Sequence, residues 1–138
     1  MAISRSEARR VAFELIFQGN CNTADEALEL LFENDSEESP KYKGNIYISS
    51  TVKGVEDKLA VLDDIISSNL PNDRSIERLS RVVLSILRLS TYEMMFVDDI
   101  PNKVSINEAI ELTKKYGDEL EPRFVNGVLS GVYKSLEK

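Results

Sequence analysis

At 138 residues, with 42% hydrophobic and 30% charged side chains, the chain has the length and composition of one ordinary globular domain. Its longest apolar runs, such as VVLSIL at 82–87, are far too short to cross a bilayer. A formal charge of −7 argues against indiscriminate nucleic-acid binding, and with no histidine and a single cysteine the chain lacks the commonest general base, the commonest metal ligand and any intramolecular disulfide.

The helix signals begin at Ser4-x-x-Glu7, a capping box in which the serine accepts from the N3 amide and the glutamate returns to the serine N–H. Ala8, Val11, Ala12, Leu15 and Ile16 follow at helical spacing. The opening MAISRSEARR leads into this charged helix and not into the apolar run of a signal peptide; with the lone Cys21 it suits a reducing compartment, and the cytoplasm is expected. Thr23-x-x-Glu26 repeats the box before Ala27, Leu30 and Leu31. Residues 34–45, NDSEESPKYKGN, combine turn formers, charge and Pro40, which predicts a mobile surface loop. IYISS at 46–50 is β-like in composition, and from Val52 onward Val55, Leu59, Leu62, Ile65 and Ile66 predict one long helix ending near Asn69.

After the break at Pro71-Asn72-Asp73, apolar residues from Ile76 to Leu87 keep helical intervals to about Met95, over a wide enough arc to mark a central helix. DDIPNKV at 98–104 reads as a loop. Ser105-x-x-Glu108 reads as a third capping box, opening a helix that ends at Gly117, a common residue just past a helix C-terminus. The next stretch, RFVNGVL at 123–129, is ambiguous, because Asn-Gly between apolar residues is a strong hairpin signal. Pro122 at a helix start and the phase of Val125, Val128, Leu129, Val132 and Leu136 decide for a helix. Gly127 and Gly131 would each cost that helix roughly 1 kcal/mol relative to alanine, a cost that close packing of a neighbouring helix would offset.

No GxGxxG or GxxxxGK[ST] loop is present, and most of the 24 carboxylates belong to a solvated surface, so neither an enzyme nor a metal or cofactor site is indicated. The charge is uneven. Residues 25–64 hold eleven acids against four lysines, whereas Arg5, Arg9 and Arg10 face only Glu7 and Glu14 in the first twenty residues, and 74–88 carries four arginines against Glu77. A local basic face is compatible with the acidic total.

VSINEAIELTKKYG at 104–117 followed by RFVNGVL closely resembles the signature of the NusB family of bacterial transcription antitermination factors. Arg5, Ala8 and Arg9 in the first helix and ILRLSTYEM at 86–94 agree in order and spacing. The resemblance spans essentially the whole chain. It implies an all-α fold, a compact bundle of about seven helices forming a single domain over 1–138, with sub-bundles at about 4–70 and 73–137. The periodic segments are taken as three up to about residue 69 and four after it. It also implies a non-enzymatic factor of the bacterial cytoplasm, needing no cofactor and no membrane. Such a factor binds boxA-type RNA together with the NusE-type small-subunit ribosomal protein, in the RNA polymerase antitermination complex that serves ribosomal-RNA transcription.

Residue by residue, the resemblance points to Arg5, Arg9 and Arg10 as phosphate contacts, Lys114 and Tyr116 as a cation beside a base-stacking ring, and Glu77 as an acceptor for a base amino group. Arg78, Arg81 and Phe124 are candidates for contact with the protein partner. Asn107, Glu108, Asn126 and Gly127 are structural motif residues: Asn126 would be buried or capping, satisfying backbone groups between helices, and Gly127 would permit close approach. Two departures stand out. Ser6 and Glu7 interrupt the arginine run that the family often carries, which implies weaker RNA binding by the isolated protein. Val83 and Leu84 stand where the family commonly has an acid–base pair. A homodimer that masks the RNA face, a self-associating module with little RNA binding, and an accessory domain of a ribosomal-RNA methyltransferase are the alternatives.

Overall fold

The computed structural model describes residues 3–20 and 22–136, so Cys21 lies outside the described residues. Every regular element among them is helical. The seven α-helices are α1 (Arg5–Phe17), α2 (Ala24–Glu33), α3 (Ile46–Asp57), α4 (Leu59–Ser68), α5 (Arg81–Phe96), α6 (Asn102–Tyr116) and α7 (Glu121–Leu136), with short 3-10 turns at Gln18–Asn20 and Ile76–Arg78. Four α-helices precede residue 69 and three follow, the reverse of the expected three and four. The chain forms two compact units, Met1–Asp57 and Lys58–Lys138.

In the first unit, α1, α2 and α3 close over Ala8, Val11, Ala12, Leu15, Ala27, Leu28, Ile48 and Val52. Both local signals that started α1 and α2 are present, with one difference. Thr23 and Glu26 complete the reciprocal box at 3.1 and 2.9 Å. Ser4 accepts from the Glu7 amide at 3.0 Å, but the Glu7 carboxylate accepts instead from the Tyr42 hydroxyl at 3.2 Å. The α2 N-terminus gains a second anchor, because the Ala24 amide donates to Glu56 Oε2 of α3 at 2.8 Å, where a carboxylate is favoured by the helix dipole.

The 34–45 segment is more ordered than its composition suggests. The Asp35 carboxylate accepts from the backbone amides of Ser36, Lys41, Tyr42 and Lys43 at 2.8–3.0 Å. These bonds, that from Lys41 first, hold its pKa down to about 2 against some opposing desolvation. Gly44 supplies the left-handed residue (φ 83°) that turns the chain. Asn45 Oδ1 then accepts from the Ile48 amide at 2.9 Å and caps α3. That cap is why IYISS is helical from Ile46 despite its β-like composition.

The single long helix expected over 52–69 is two. Lys58 leaves the α-basin (φ −104°, ψ 15°), and its carbonyl accepts from the Leu62 amide at 2.9 Å to start α4. Val55 and Leu62 are seven residues apart, the same stripe of an unbroken helix, so periodicity carries no trace of the break. Packing decides it: α3 buries Ile48, Val52 and Val55 in the first unit and α4 buries Leu62 and Ile66 in the second.

In the second unit α5 is central, touching α4, α6 and α7 and burying Val83, Ile86, Leu87 and Leu89. It also buries polar groups, which then need partners. Ser105 Oγ donates to the fully buried Glu93 at 2.8 Å, and Ser90 Oγ donates to the Ser105 carbonyl at 3.1 Å. Ser105 is therefore not a helix cap. The α6 helix starts three residues earlier, after Pro101, so Asn102–Val104 are helical and not loop, and Ser105 faces inward as a bridge to α5. A part-buried α4–α5 tie completes the unit: Arg88 Nε and Nη2 fork onto Asp63 Oδ1 and Oδ2 at 2.8 and 2.7 Å.

Candidate nucleic-acid interface

The α1 arginines are three different residues once folded. Arg5 and Arg9 are i, i+4 neighbours on one face of α1. Their guanidinium carbons lie 4.8 and 5.7 Å from the centre of the Tyr47 ring, on the first turn of α3. Arg5 is exposed, but Arg9 is only 3% exposed, so it is not the solvated side chain that its place in a charged run suggests. Arg10 turns the other way: Nη1 donates to Glu14 at 2.9 Å, and Nη2 lies 3.5 Å from Glu7. Of the three, Arg5 is the exposed one, Arg10 is half-buried and engaged by two carboxylates, and Arg9 is buried.

The remaining candidates belong to the second unit. Glu77 and Arg78 sit in the exposed 3-10 turn, and Arg81 is exposed at the start of α5. Glu77, Asp63, Asp64, Ser67 and Arg74 line an open cleft of about 410 Å³. Asp63 is already paired with Arg88, so Glu77 and Asp64 stand against the one guanidinium of Arg74, and the cleft suits a base amino group or a basic side chain better than a phosphate. Lys114 is exposed near the end of α6, 3.4 Å from Glu111, and the half-buried Tyr116 ring has Lys115 Nζ 5.5 Å from its centre. Phe124 is half-buried beneath the Arg74 guanidinium, 4.7 Å from the ring centre. Arg74 and Tyr47 were not singled out from the sequence; Tyr47 lies in a stretch of β-like composition, and Arg74 is one of four arginines in fifteen residues.

The expected structural motif is arranged differently. Asn126 is exposed, neither buried nor capping, and a Cβ on the exposed Gly127 would meet nothing within 4 Å. Close approach occurs one turn later, where a Cβ on Gly131 would fall 2.5 Å from Asn69 Oδ1. Asn69 is fixed there by donating from Nδ2 to the Ile65 carbonyl at 2.9 Å and to Ser135 Oγ at 3.3 Å. Asn107 is exposed and Glu108 half-buried within α6. Gly117 ends α6 as expected, but with φ −109°, so its role is spatial: a Cβ would meet the Glu121 carboxylate at 2.6 Å. Among the described residues no group of three or more His, Cys, Asp or Glu is placed to hold a metal, and no helix is long and apolar enough to cross a membrane.

Comparison with known proteins agrees along almost the full length. The family model described as the NusB family matches residues 6–134. The transcription antitermination protein NusB of Clostridium botulinum (strain Kyoto / Type A2) is 46% identical over 140 residues, covering 92% of this chain and 97% of its own. The crystal structure of T. maritima NusB superposes with a TM-score of 0.83 at 34% identity, covering 97% of this chain and 93% of that one. A chain from the crystal structure of the antitermination factors NusB and NusE in complex with double-stranded RNA gives a TM-score of 0.79 at 29% identity, with 95% and 96% covered. The chain belongs to the NusB family.

Proposed function

We propose that this chain is a non-enzymatic transcription antitermination factor of the bacterial cytoplasm, which binds boxA-type RNA jointly with the NusE-type small-subunit ribosomal protein and so joins the RNA polymerase antitermination complex. The observation that carries the reading is the chain-wide likeness to a NusB that was crystallised with NusE and RNA. The chemistry agrees with it. Arg5 is an exposed cation, Tyr116 offers a ring beside Lys115 with Lys114 exposed on the same helix, and Glu77 offers an acceptor for a base amino group. With Arg10 engaged by Glu7 and Glu14, Arg9 buried and a net charge of −7, the protein alone has a weak electrostatic grip, and a basic partner would supply the rest.

The test is fluorescence anisotropy of a labelled boxA-type RNA titrated with this protein, alone and with the NusE-type protein, at two salt concentrations. Binding that tightens strongly with the partner and weakens with salt is expected. A folded protein that binds in neither mixture would overturn the RNA role.

A further inference from the structure

We infer that Arg74 is an RNA phosphate contact and Phe124 the residue that positions it, on the wall of the open cleft that also holds Glu77; this rests on the RNA-binding reading above. The segment after α4 is held by its own backbone: the Arg74 amide donates to the Pro71 carbonyl and the Arg78 amide to the Ser75 carbonyl, both at 3.0 Å. The Arg74 guanidinium carbon then lies 4.7 Å from the centre of the Phe124 ring. Phe124 is half-buried on the first turn of α7, and its neighbour Val125 is fully buried, so the ring is an anchored platform.

The ring takes the face of the guanidinium and leaves its N–H edge. Arg74 is exposed, and among the described residues its side chain makes no hydrogen bond and no ion pair. Arg88, by contrast, has its edge filled by Asp63. A stacked guanidinium keeps its fork for a phosphate, and the ring that orders it lowers the rotamer entropy lost on binding. The cleft supplies the other half of a nucleotide site. Arg74 is the one cation among its lining residues, with Glu77 and Asp64 unpaired beside it. A nucleotide joins an anion to a base edge, so its phosphate would meet Arg74 and a base amino group would meet Glu77. A carboxylate from a protein partner would meet Arg74 and leave Glu77 unused.

The experiment measures RNA affinity of the full chain with the NusE-type protein, using a labelled single-stranded boxA-type RNA over a range of salt. The variants are Arg74→Ala, Phe124→Leu and the Arg74→Ala/Phe124→Leu double variant. Arg74→Ala should weaken binding about fivefold at about 0.1 M salt, and the slope of log affinity against log salt should shrink by about 0.7, the share of one phosphate on a single strand. Affinity for the NusE-type protein without RNA should be unchanged. Phe124→Leu should weaken RNA binding about two- to fivefold, the range of an exposed cation–π contact. In the Arg74→Ala background it should cost nothing further, a coupling that a merely structural role would not produce. Should Phe124→Leu lose helicity, pentafluorophenylalanine at 124 keeps the ring shape but reverses its quadrupole, and the same weakening is expected. An unchanged salt slope in Arg74→Ala, or a loss of affinity for the NusE-type protein in its place, would overturn the phosphate contact. An equal loss from the Phe124 change with and without Arg74 would overturn the positioning role. If wild type itself fails to bind RNA with the partner present, the functional reading fails and takes this inference with it. A wild type that binds while Arg74→Ala binds equally well leaves the function standing and removes only this contact.

Discussion

The two arginine-rich stretches, 5–10 and 74–88, look alike as sequence and differ once folded. On α1, Arg9 is buried, Arg9 and Arg5 share the Tyr47 ring, and Arg10 lies between two carboxylates of its own helix. In the second stretch Arg88 is locked onto Asp63, Arg74 rests on Phe124, and the exposed Arg78 side chain has no ion pair or hydrogen bond among the described residues. The count of cations in a segment therefore says little about how many can meet a ligand. What matters is which edge or face of each guanidinium the fold already uses.

The sharpest way to break this contrast is to remove a committed arginine and an uncommitted one from the same stretch. Arg88→Ala takes both hydrogen bonds from Asp63, which is itself mostly covered, and should cost about 2 kcal/mol of unfolding free energy in a urea melt. Arg78→Ala should stay within about 0.5 kcal/mol of wild type. Equal effects would mean that the partition among these arginines is wrong.

On α1 the same logic separates Arg9 from Arg5. Arg9→Ala loses a buried stem as well as a ring contact, and about 1–2 kcal/mol of stability should go with it, read by the same melt. Arg5→Ala, at an exposed position, should lower RNA affinity in the presence of the NusE-type protein and cost the melt less than Arg9→Ala does. If Arg9→Ala melts as wild type, Arg9 is not part of the fold and returns to the list of direct RNA contacts.

Much of the scaffold was legible in the sequence. The apolar stripes of α1, α5 and α7 give their faces, and Thr23-x-x-Glu26 gives the start of α2 with both its bonds. Misreadings arose where one local pattern has two physical outcomes. Ser105 and Glu108 fit a capping box, yet the burial of Glu93 on another helix recruits the Ser105 hydroxyl, a demand invisible from 105–108 alone. Val55 and Leu62 are in phase whether or not the helix breaks at Lys58. The site was least legible, because Arg9 is buried and meets a tyrosine 38 residues further along the chain, a neighbour that the local sequence does not reveal.

The paired glycines of α7 extend the comparison from cations to backbone. Gly127 sits in an exposed helix interior with open space around a would-be Cβ, so Gly127→Ala should stabilise the isolated chain by about 0.5–1 kcal/mol. At Gly131 the same change gains the same helix propensity but pushes on Asn69, whose two donor bonds hold it in place, so Gly131→Ala should fall below Gly127→Ala in thermal unfolding. Reversal of that order would place the close approach at 127 and not at 131.

The smallest effect concerns a carboxylate committed in the way Arg88 is, but in the acidic middle of the chain. Asp35 accepts four backbone amide bonds, and its pKa is lowered from 3.8 to about 2 in the folded protein. A depressed carboxylate favours the folded state above its unfolded pKa, and that contribution is lost as pH falls through the folded value. The window thus runs from about pH 4 down to about pH 2. Amide proton shifts of Lys41, Tyr42 and Lys43 should titrate near the lower end, and Asp35→Asn should abolish that titration and flatten the melting temperature across the window relative to wild type. Amides that titrate near 3.8 instead would show that the carboxylate spends little time in its amide cradle. The 34–45 segment would then be the mobile loop that its composition suggests, and its acids would all be surface charge.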